Sequence, residues 1–166
     1  MAINLPLDIN RIKGFLDPQE GEALYSYAKE FTQNGDAIEI GSYCGKSAVY
    51  IGSAVKENSQ KLYSIDHHKG SEEQQPGEEF FDPDLIDVSG NGIDTLPHFL
   101  ETIRSASLED FVIPIISSSK EAYEYLKIDF NMVFIDGGHS EEAAQIDYSL
   151  WSKRLHTGGL LAIHDV

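Results

Sequence analysis

Five short runs of apolar residues recur along the chain, and each leads into a small or acidic residue. Runs this short do not make buried helices, and their β-branched side chains favour strands that are buried on both faces. The pattern therefore predicts five strands. They are Ala37–Ile40, Leu62–Ile65, Phe111–Ile116, Met132–Ile135 and Leu160–Ile163.

Stretches with helical spacing separate these runs. They are Lys46–Lys56, Thr95–Ser105, Ser119–Leu126 and Ser140–Leu155, preceded by an amphipathic helix at Pro18–Phe31 with Leu24, Tyr27 and Phe31 on its apolar face. Strands that alternate with helices indicate βαβ units with right-handed crossovers. We therefore expect an α/β fold with a Rossmann-like, doubly wound parallel sheet in three layers, and one domain over residues 1–166.

Residues 67–96 interrupt this alternation with a polar stretch rich in Gly, Pro and Asp. A loop of this length is uncommon and is usually functional or disordered. We interpret it as a solvated, mobile lid or acceptor-binding element, in which the pair Phe80 and Phe81 favours some packing. The chain ends directly after the fifth predicted strand. Since edge strands are normally covered, we expect a truncated sheet whose last strand could pair with a second copy in a homodimer.

Composition and charge narrow the range of partners. The chain has 28 Asp and Glu residues against 12 Lys and Arg residues, a net charge of −16. This charge repels phosphate backbones and anionic lipids, so we expect no nucleic-acid or membrane partner. The single cysteine, Cys44, excludes an internal disulfide framework and a Cys-rich zinc site. Neither a leader pattern nor an apolar run of roughly 20 residues is visible, so we expect a cytoplasmic protein.

The turn after the first predicted strand, GSYCGKS at residues 41–47, has two interpretations. A phosphate-binding loop needs four residues between its glycines before the lysine. Here Gly41 and Gly45 enclose three residues, and Ile40 stands where the first glycine would be needed. A loop one residue short does not wrap the same phosphate, so a P-loop nucleotide hydrolase is the weaker alternative.

The same turn fits an acidic-x-Gly-x-x-x-Gly pattern through Glu39, Gly41 and Gly45. Here Gly41 lets the backbone pass close to a cofactor, and Gly45 allows a tight turn into the helix. Ser47 and the amides at the helix start suit a carboxylate, because helix N-termini attract anions. The next strand leads to Asp66, whose carboxylate can accept both hydroxyls of a ribose. The spacing predicts a nucleotide-type site, and the alternative is a plain turn with a cap at Asp66.

The stretch MVFIDGGHSEEAAQIDYSLWSKRLHTGGLLAIHDV, residues 132–166, carries a more specific pattern. A strand ends in Asp-Gly-x-His, an acidic helix with a central Trp follows, and a Gly-Gly turn precedes a strand that ends in His-Asp. This arrangement resembles a bacterial family of class I methyltransferases that is similar to macrolide-sugar O-methyltransferases, over roughly residues 36–166. The resemblance implies a domain that binds S-adenosylmethionine and methylates a hydroxyl of a small-molecule acceptor, a sugar or related natural product.

The resemblance also implies roles for single residues. Asp136 and Asp165 match positions that bind Mg²⁺ in metal-dependent relatives, where the cation would orient and acidify a hydroxyl. His164 stands where those relatives have a carboxylate, and this softer ligand leaves the metal open. His139 matches the position of a catalytic general base, which suits a neutral imidazole. The alternative is structural, with Asp136 as a helix cap and His139 bonded to a backbone carbonyl.

Serines 117–119 match the region that borders the adenine ring in such enzymes, where a hydroxyl can bond the exocyclic amine. We predict that Ser118 contacts the cofactor and that Ser119 caps the next helix, whereas Trp151 and Tyr148 pack a later helix. An inactive, cofactor-binding domain is a further alternative, since relatives have more C-terminal strands. The predicted cofactor residues are Glu39, Gly41, Tyr43, Gly45, Ser47, Asp66, Ser118 and Asp136, and the predicted metal ligands are Asp136, His164 and Asp165.

Overall fold

The structure is a computed structural model that describes residues 3–138 and 140–164. The predicted roles of His139 and Asp165 therefore lie outside the described residues. Strands are β1 Ala37–Ile40, β2 Leu62–Asp66, β3 Val112–Ile116, β4 Phe130–Ile135 and β5 Leu155–Ile163. Helices are α1 Pro18–Phe31, α2 Lys46–Glu57, α3 Leu96–Ser105, α4 Ser119–Tyr125 and α5 Glu141–Trp151, with short 3-10 helices at Ile9–Arg11, Glu72–Gln74, Pro83–Leu85 and Ser152–Arg154.

The strands form one parallel sheet in the order β3-β2-β1-β4-β5. All four residues of β1 are buried, as expected for the central strand of a sheet covered on both faces. The chain builds outward from β1 to β3, then crosses back through α4 to β4 on the other side of β1. The predicted Rossmann-like, doubly wound fold is confirmed. Its strand order reverses between β1 and β4, where ligands bind in such sheets.

Different helices cover the two faces of the sheet. On one face, α1, α2 and α3 pack into a core that includes Ile51 and Phe99. On the other face, α4 and α5 pack through Ala122 and Trp151. Trp151 is fully buried, as predicted, but Tyr148 is 44% exposed, so its predicted packing role is wrong. The buried residues of α5 are Asp147 and Trp151, one helical turn apart. Among the described residues, no helix combines the length and apolar character that a bilayer crossing requires.

Helix α1 packs through a different face from the one expected. The prediction grouped Leu24 with Tyr27, but the buried residues are Gly21, Leu24 and Ala28, and Tyr27 is 46% exposed. The small residue decides the contact, because a Cβ at Gly21 would lie 2.2 Å from the ring of Tyr50. Helix α1 therefore approaches α2 closely along the face that carries Gly21, Leu24 and Ala28. Two of these residues are small, so the hydrophobic pattern of the sequence does not reveal this face.

Residues 67–96 do not form a solvated loop over their whole length. An antiparallel bridge joins Ile86 to Ile93. Leu85 and Ile93 are buried and pack with Cys44 of the glycine turn. For this part of the segment the prediction of a solvated loop is wrong, because its apolar side chains find cover on the turn. The packing places the segment beside the carboxyl ends of the central strands.

Candidate active site

A cavity of about 310 Å³ opens at the carboxyl ends of the central strands, where the strand order reverses. Its volume lies in the range of small-molecule sites. Six of the predicted cofactor residues line it, namely Gly41, Tyr43, Ser47, Asp66, Ser118 and Asp136. The N-terminal segment from Lys13 to Leu16 and part of the 67–96 segment complete the wall. Tertiary structure thus brings together residues from all parts of the chain.

Gly41 is the point where three strand ends meet. Its amide donates to the carbonyl of Ile65 at 2.8 Å, while the amide of Asp136 donates to the carbonyl of Ile40 at 2.8 Å. Its φ is +95°, and a Cβ would lie 2.1 Å from the carbonyl oxygen of Asp136. Glycine is required here because the backbone itself fills the space that a side chain would take. The sequence predicted that the backbone at Gly41 passes close to a cofactor. In the structure, the group that lies close to Gly41 is the backbone at the end of β4.

Gly45 is the N-cap residue of α2. It has a φ of +94°, and no side chain caps the first amides of the helix. A Cβ there would lie 3.1 Å from the side chain of Thr102, so the turn also packs against α3. The first amides of a helix lack partners within the helix and attract anions. Lys46 and Ser47 both line the cavity, so the start of α2 can receive a ligand carboxylate. Gly45 itself is not part of the lining, and its direct contact with a cofactor stays a prediction.

The Asp66 carboxylate organises the turn. One oxygen, Oδ2, accepts the amides of Ser42 at 2.8 Å and Tyr43 at 2.9 Å, and Oδ1 accepts the amide of His68 at 2.8 Å. Tyr43 holds a left-handed φ of +47°, which directs its amide to this acceptor. A carboxylate has about four acceptor positions. Asp66 therefore retains capacity for one ligand hydroxyl rather than for the two that the sequence suggested.

Glu39 lies fully buried beneath the cavity and is not part of its lining. Its two oxygens accept the hydroxyls of Ser47 and Ser64, each at 2.6 Å, and Ser64 also bonds Ser42 at 2.5 Å. Burial, together with the nearby carboxylates of Asp136 and Asp66, raises the pKa of Glu39 to about 7, although the two hydrogen bonds oppose the shift. Glu39 thus holds the start of α2 from below, and its direct contact with the cofactor stays a prediction.

Replacing Glu39 by glutamine should change how stability depends on pH. A carboxyl with a pKa of about 7 when folded and about 4.5 when unfolded binds more protons in the folded state, so wild-type stability falls as pH rises across this window. The loss is on the order of 3 kcal/mol, because each pKa unit corresponds to about 1.4 kcal/mol. Urea unfolding at pH 5, 6, 7 and 8 should show a smaller decline for Glu39→Gln. If the free energy of unfolding depends on pH in the same way in both proteins, the raised pKa assigned to Glu39 is contradicted.

The serines after β3 have different roles from those predicted. Ser118 caps α4, since its Oγ accepts the amide of Glu121 at 3.2 Å. Ser119 instead accepts the indole N–H of Trp151 at 2.8 Å. The predicted cap at Ser119 is wrong because Ser119 is already helical and turns towards α5. Ser118 lines the cavity, and its contact with the cofactor stays a prediction.

Asp147 on α5 is a cavity residue that the sequence analysis did not identify. Its side chain lines the cavity, yet the residue is only 6% exposed. Burial raises its pKa, and a hydrogen bond with Ser119 opposes that shift. Gly137 makes room for it, because a Cβ there would lie 2.8 Å from Oδ2 of Asp147. A signal did exist, since Asp147 stands one helical turn before Trp151 and so shares its buried face.

His164 lies between two carboxylates and outside the cavity lining. Its Nδ1 is 3.1 Å from Oδ1 of Asp136, and its Nε2 is 2.9 Å from Oε2 of Glu20 on α1. Within residues 3–138 and 140–164, no group of three or more His, Cys, Asp or Glu side chains could hold a metal ion. The alternative in which Asp136 caps α5 is also wrong, since Ser140 accepts the amide of Ala143 at 3.1 Å.

A family model described as a methyltransferase domain matches residues 38–166. The solved structures that share the fold include three methyltransferases. The O-methyltransferase TomG from Streptomyces achromogenes, in complex with SAM, aligns with a TM-score of 0.65 at 14% identity over 90% of this chain and 56% of its own. An O-methyltransferase from Bacillus cereus, in complex with SAH, aligns with a TM-score of 0.62 at 15% identity over 92% of this chain and 58% of its own.

The SAH-bound methyltransferase PaMTH1 from Podospora anserina aligns with a TM-score of 0.62 at 13% identity over 90% of this chain and 53% of its own. At such identities the similarity concerns the fold. The chain therefore spans a little more than half the length of these three structures.

Proposed function

The chain belongs to the methyltransferase-domain family, and we propose that it binds S-adenosylmethionine in the cavity at the ends of β1 and β4 and methylates an oxygen of a small-molecule acceptor. One observation carries the proposal. Asp66 presents a carboxylate to the cavity beside a glycine turn that its own hydrogen bonds hold in place. The bound SAM and SAH in TomG and the Bacillus cereus enzyme support the choice of ligand.

The cavity wall has partners for three polar parts of this ligand. The start of α2 suits the methionine carboxylate, because its first amides have no capping side chain. Asp66 can accept one ribose hydroxyl at its remaining acceptor position. We assign the base to the rim at Ser117–Ser119, which lines the same cavity.

The cofactor supplies an activated methyl group that an oxygen nucleophile can take directly. The protein's part is then to position the acceptor in line with that methyl group and to exclude water, which makes proximity the main source of rate. We retain His139 as the proposed base for the acceptor hydroxyl, on the strength of the resemblance. A sugar or related natural product is the acceptor class we propose on the same ground.

Magnesium is not part of the proposed chemistry. Of the predicted ligands, Asp165 lies outside the described residues, and His164 is already placed between Asp136 and Glu20. The donor set that the structure describes does not fit a metal centre, so no step is assigned to a cation.

Thermal unfolding with S-adenosylhomocysteine tests the proposal, with ATP–Mg²⁺ as the parallel ligand. A ligand at 100 times its Kd adds about 2.7 kcal/mol of stability, which corresponds to roughly 5–10 °C for a domain of this size. We expect a shift with S-adenosylhomocysteine alone. A shift with ATP–Mg²⁺ alone would revive the phosphate-loop alternative, and no shift with either would contradict the proposal. Methyl transfer to a panel of hydroxyl acceptors then separates an enzyme from an inactive binding domain.

A further inference from the structure

The cavity contains a buried carboxylate that the proposed function does not yet use. Asp147 is 94% buried, as its 6% exposure shows, and lines the cavity next to the serine rim. Burial raises the pKa of Asp147, and the nearby Ser119 hydroxyl lowers it. A desolvated carboxylate with so few donors gains strongly from a ligand that donates a hydrogen bond.

Gly137 and the buried face of α5 place Asp147 at the cavity wall. A Cβ at Gly137 would lie 2.8 Å from Oδ2 of Asp147, and Asp147 stands one helical turn before Trp151, which is fully buried. The Ser119 oxygen accepts the indole N–H of Trp151 at 2.8 Å, so that bond does not use the proton of Ser119.

The neighbouring hydroxyls are weaker candidates for the same ligand. The Ser117 hydroxyl donates to the carbonyl of Ser118 at 2.9 Å. The Ser118 oxygen is engaged in capping α4. A ligand amine needs an acceptor, and a carboxylate accepts more strongly than a hydroxyl. Asp147 is therefore the acceptor best placed to recognise an amine at this rim.

Building on the proposed function, we propose that Asp147 selects the base of the cofactor by accepting a hydrogen bond from the exocyclic amine of adenine. Three features carry this inference: the burial of the carboxylate, its place in the cavity wall beside the rim at Ser117–Ser119, and the engagement of the Ser117 and Ser118 hydroxyls in other hydrogen bonds. A base with an oxo group at that position would place one acceptor against another. A site that forms a hydrogen bond with a ligand group binds an analogue without that group much more weakly. An apolar pocket discriminates far less between ligands that differ only in shape.

Calorimetric titration with S-adenosylhomocysteine and S-inosylhomocysteine tests the inference, because the second ligand replaces the amine by an oxo group. We expect wild type to prefer the adenosyl ligand by at least about 100-fold. In Asp147→Asn the side-chain amide can donate to the oxo group. Its preference should fall to within about 5-fold, with tighter binding of the inosyl ligand than in wild type. Glu142→Gln, which removes an exposed carboxylate from the same helix, should keep the wild-type preference.

Each other outcome overturns the assignment. If Asp147→Asn weakens both ligands equally, the carboxylate only supports the β4 end through Gly137. If wild type does not distinguish the two ligands, the base is recognised elsewhere, and that result does not depend on the folding of any variant. If wild type binds neither ligand, the proposed function fails together with this inference. Binding of the adenosyl ligand with an unchanged preference in the variant refutes the inference alone.

Discussion

Gly41→Ala is expected to lower the free energy of unfolding by about 3 kcal/mol or more and to remove binding of S-adenosylhomocysteine. The new Cβ would lie 2.1 Å from the backbone oxygen of Asp136, and the φ of +95° disfavours any side chain. Because a Cβ has no rotamer and the atoms that it meets belong to the backbone, no side-chain movement relieves the overlap, and β1 must separate from β4. Urea unfolding and calorimetric titration measure the two effects.

Gly90→Ala is the matched control for this experiment. Gly90 has a similar left-handed φ of +79°, but a Cβ there would meet no atom within 4 Å. This variant carries only the conformational strain, which costs roughly 1–2 kcal/mol, and its ligand affinity should equal that of wild type. Equal destabilisation of the two variants would show that strain alone, and not the contact with the β4 end, makes Gly41 necessary.

Asp66→Ala is expected to weaken S-adenosylhomocysteine binding by at least about 100-fold and to cost about 2–4 kcal/mol of stability. The carboxylate accepts three backbone amides, from Ser42, Tyr43 and His68. Its removal leaves those amides without their acceptor, releases the left-handed turn at Tyr43 and deletes the partner proposed for a ribose hydroxyl. Circular dichroism should show that the fold persists while calorimetry shows the loss of binding.

Asp87→Ala controls for the general effect of removing a carboxylate that holds a loop. Asp87 also accepts nearby amides, those of Ser89 and Gly90, but it is not part of the lining of the candidate active site. The affinity of Asp87→Ala for S-adenosylhomocysteine should stay within about 2-fold of wild type, because the turn at Asp66 is intact. A folded Asp66→Ala protein that binds S-adenosylhomocysteine as tightly as the Asp87 variant would refute the role assigned to Asp66.

The sequence by itself determined the order of elements and the place of the site. A strand covered on both faces is mostly apolar, and the run Ala37–Ile40 is apolar except at Glu39, so it could be identified; the structure has the same bounds. Gly41 could be identified because a ligand site at a strand end needs a residue without a side chain, so that the backbone can come close. Asp66 could be identified because such a site also needs a hydrogen-bond acceptor at the end of the next strand. Alternation of strands and helices then selected the doubly wound sheet.

Tertiary structure alone decided which neighbours the side chains meet. The sequence placed the cap at Ser119, and only the approach of Trp151 from a distant helix shows why Ser118 caps instead. The segment 67–96 is polar enough to suggest a free loop, yet Leu85 and Ile93 find cover against Cys44. Likewise β5 begins at Leu155, before the apolar run, because its polar start pairs with β4 through an irregular register.

Asp147 shows the limit most clearly. In the sequence it is one acid in an acidic helix, and only its position one turn before Trp151 distinguishes it from exposed neighbours such as Glu142. In the structure it is buried at the cavity wall because Gly137 lacks a side chain that would occupy its place. Local periodicity determines which residues become strand or helix, since backbone geometry repeats along the chain. Burial of a charge depends instead on contacts between distant segments, which only the folded chain brings together.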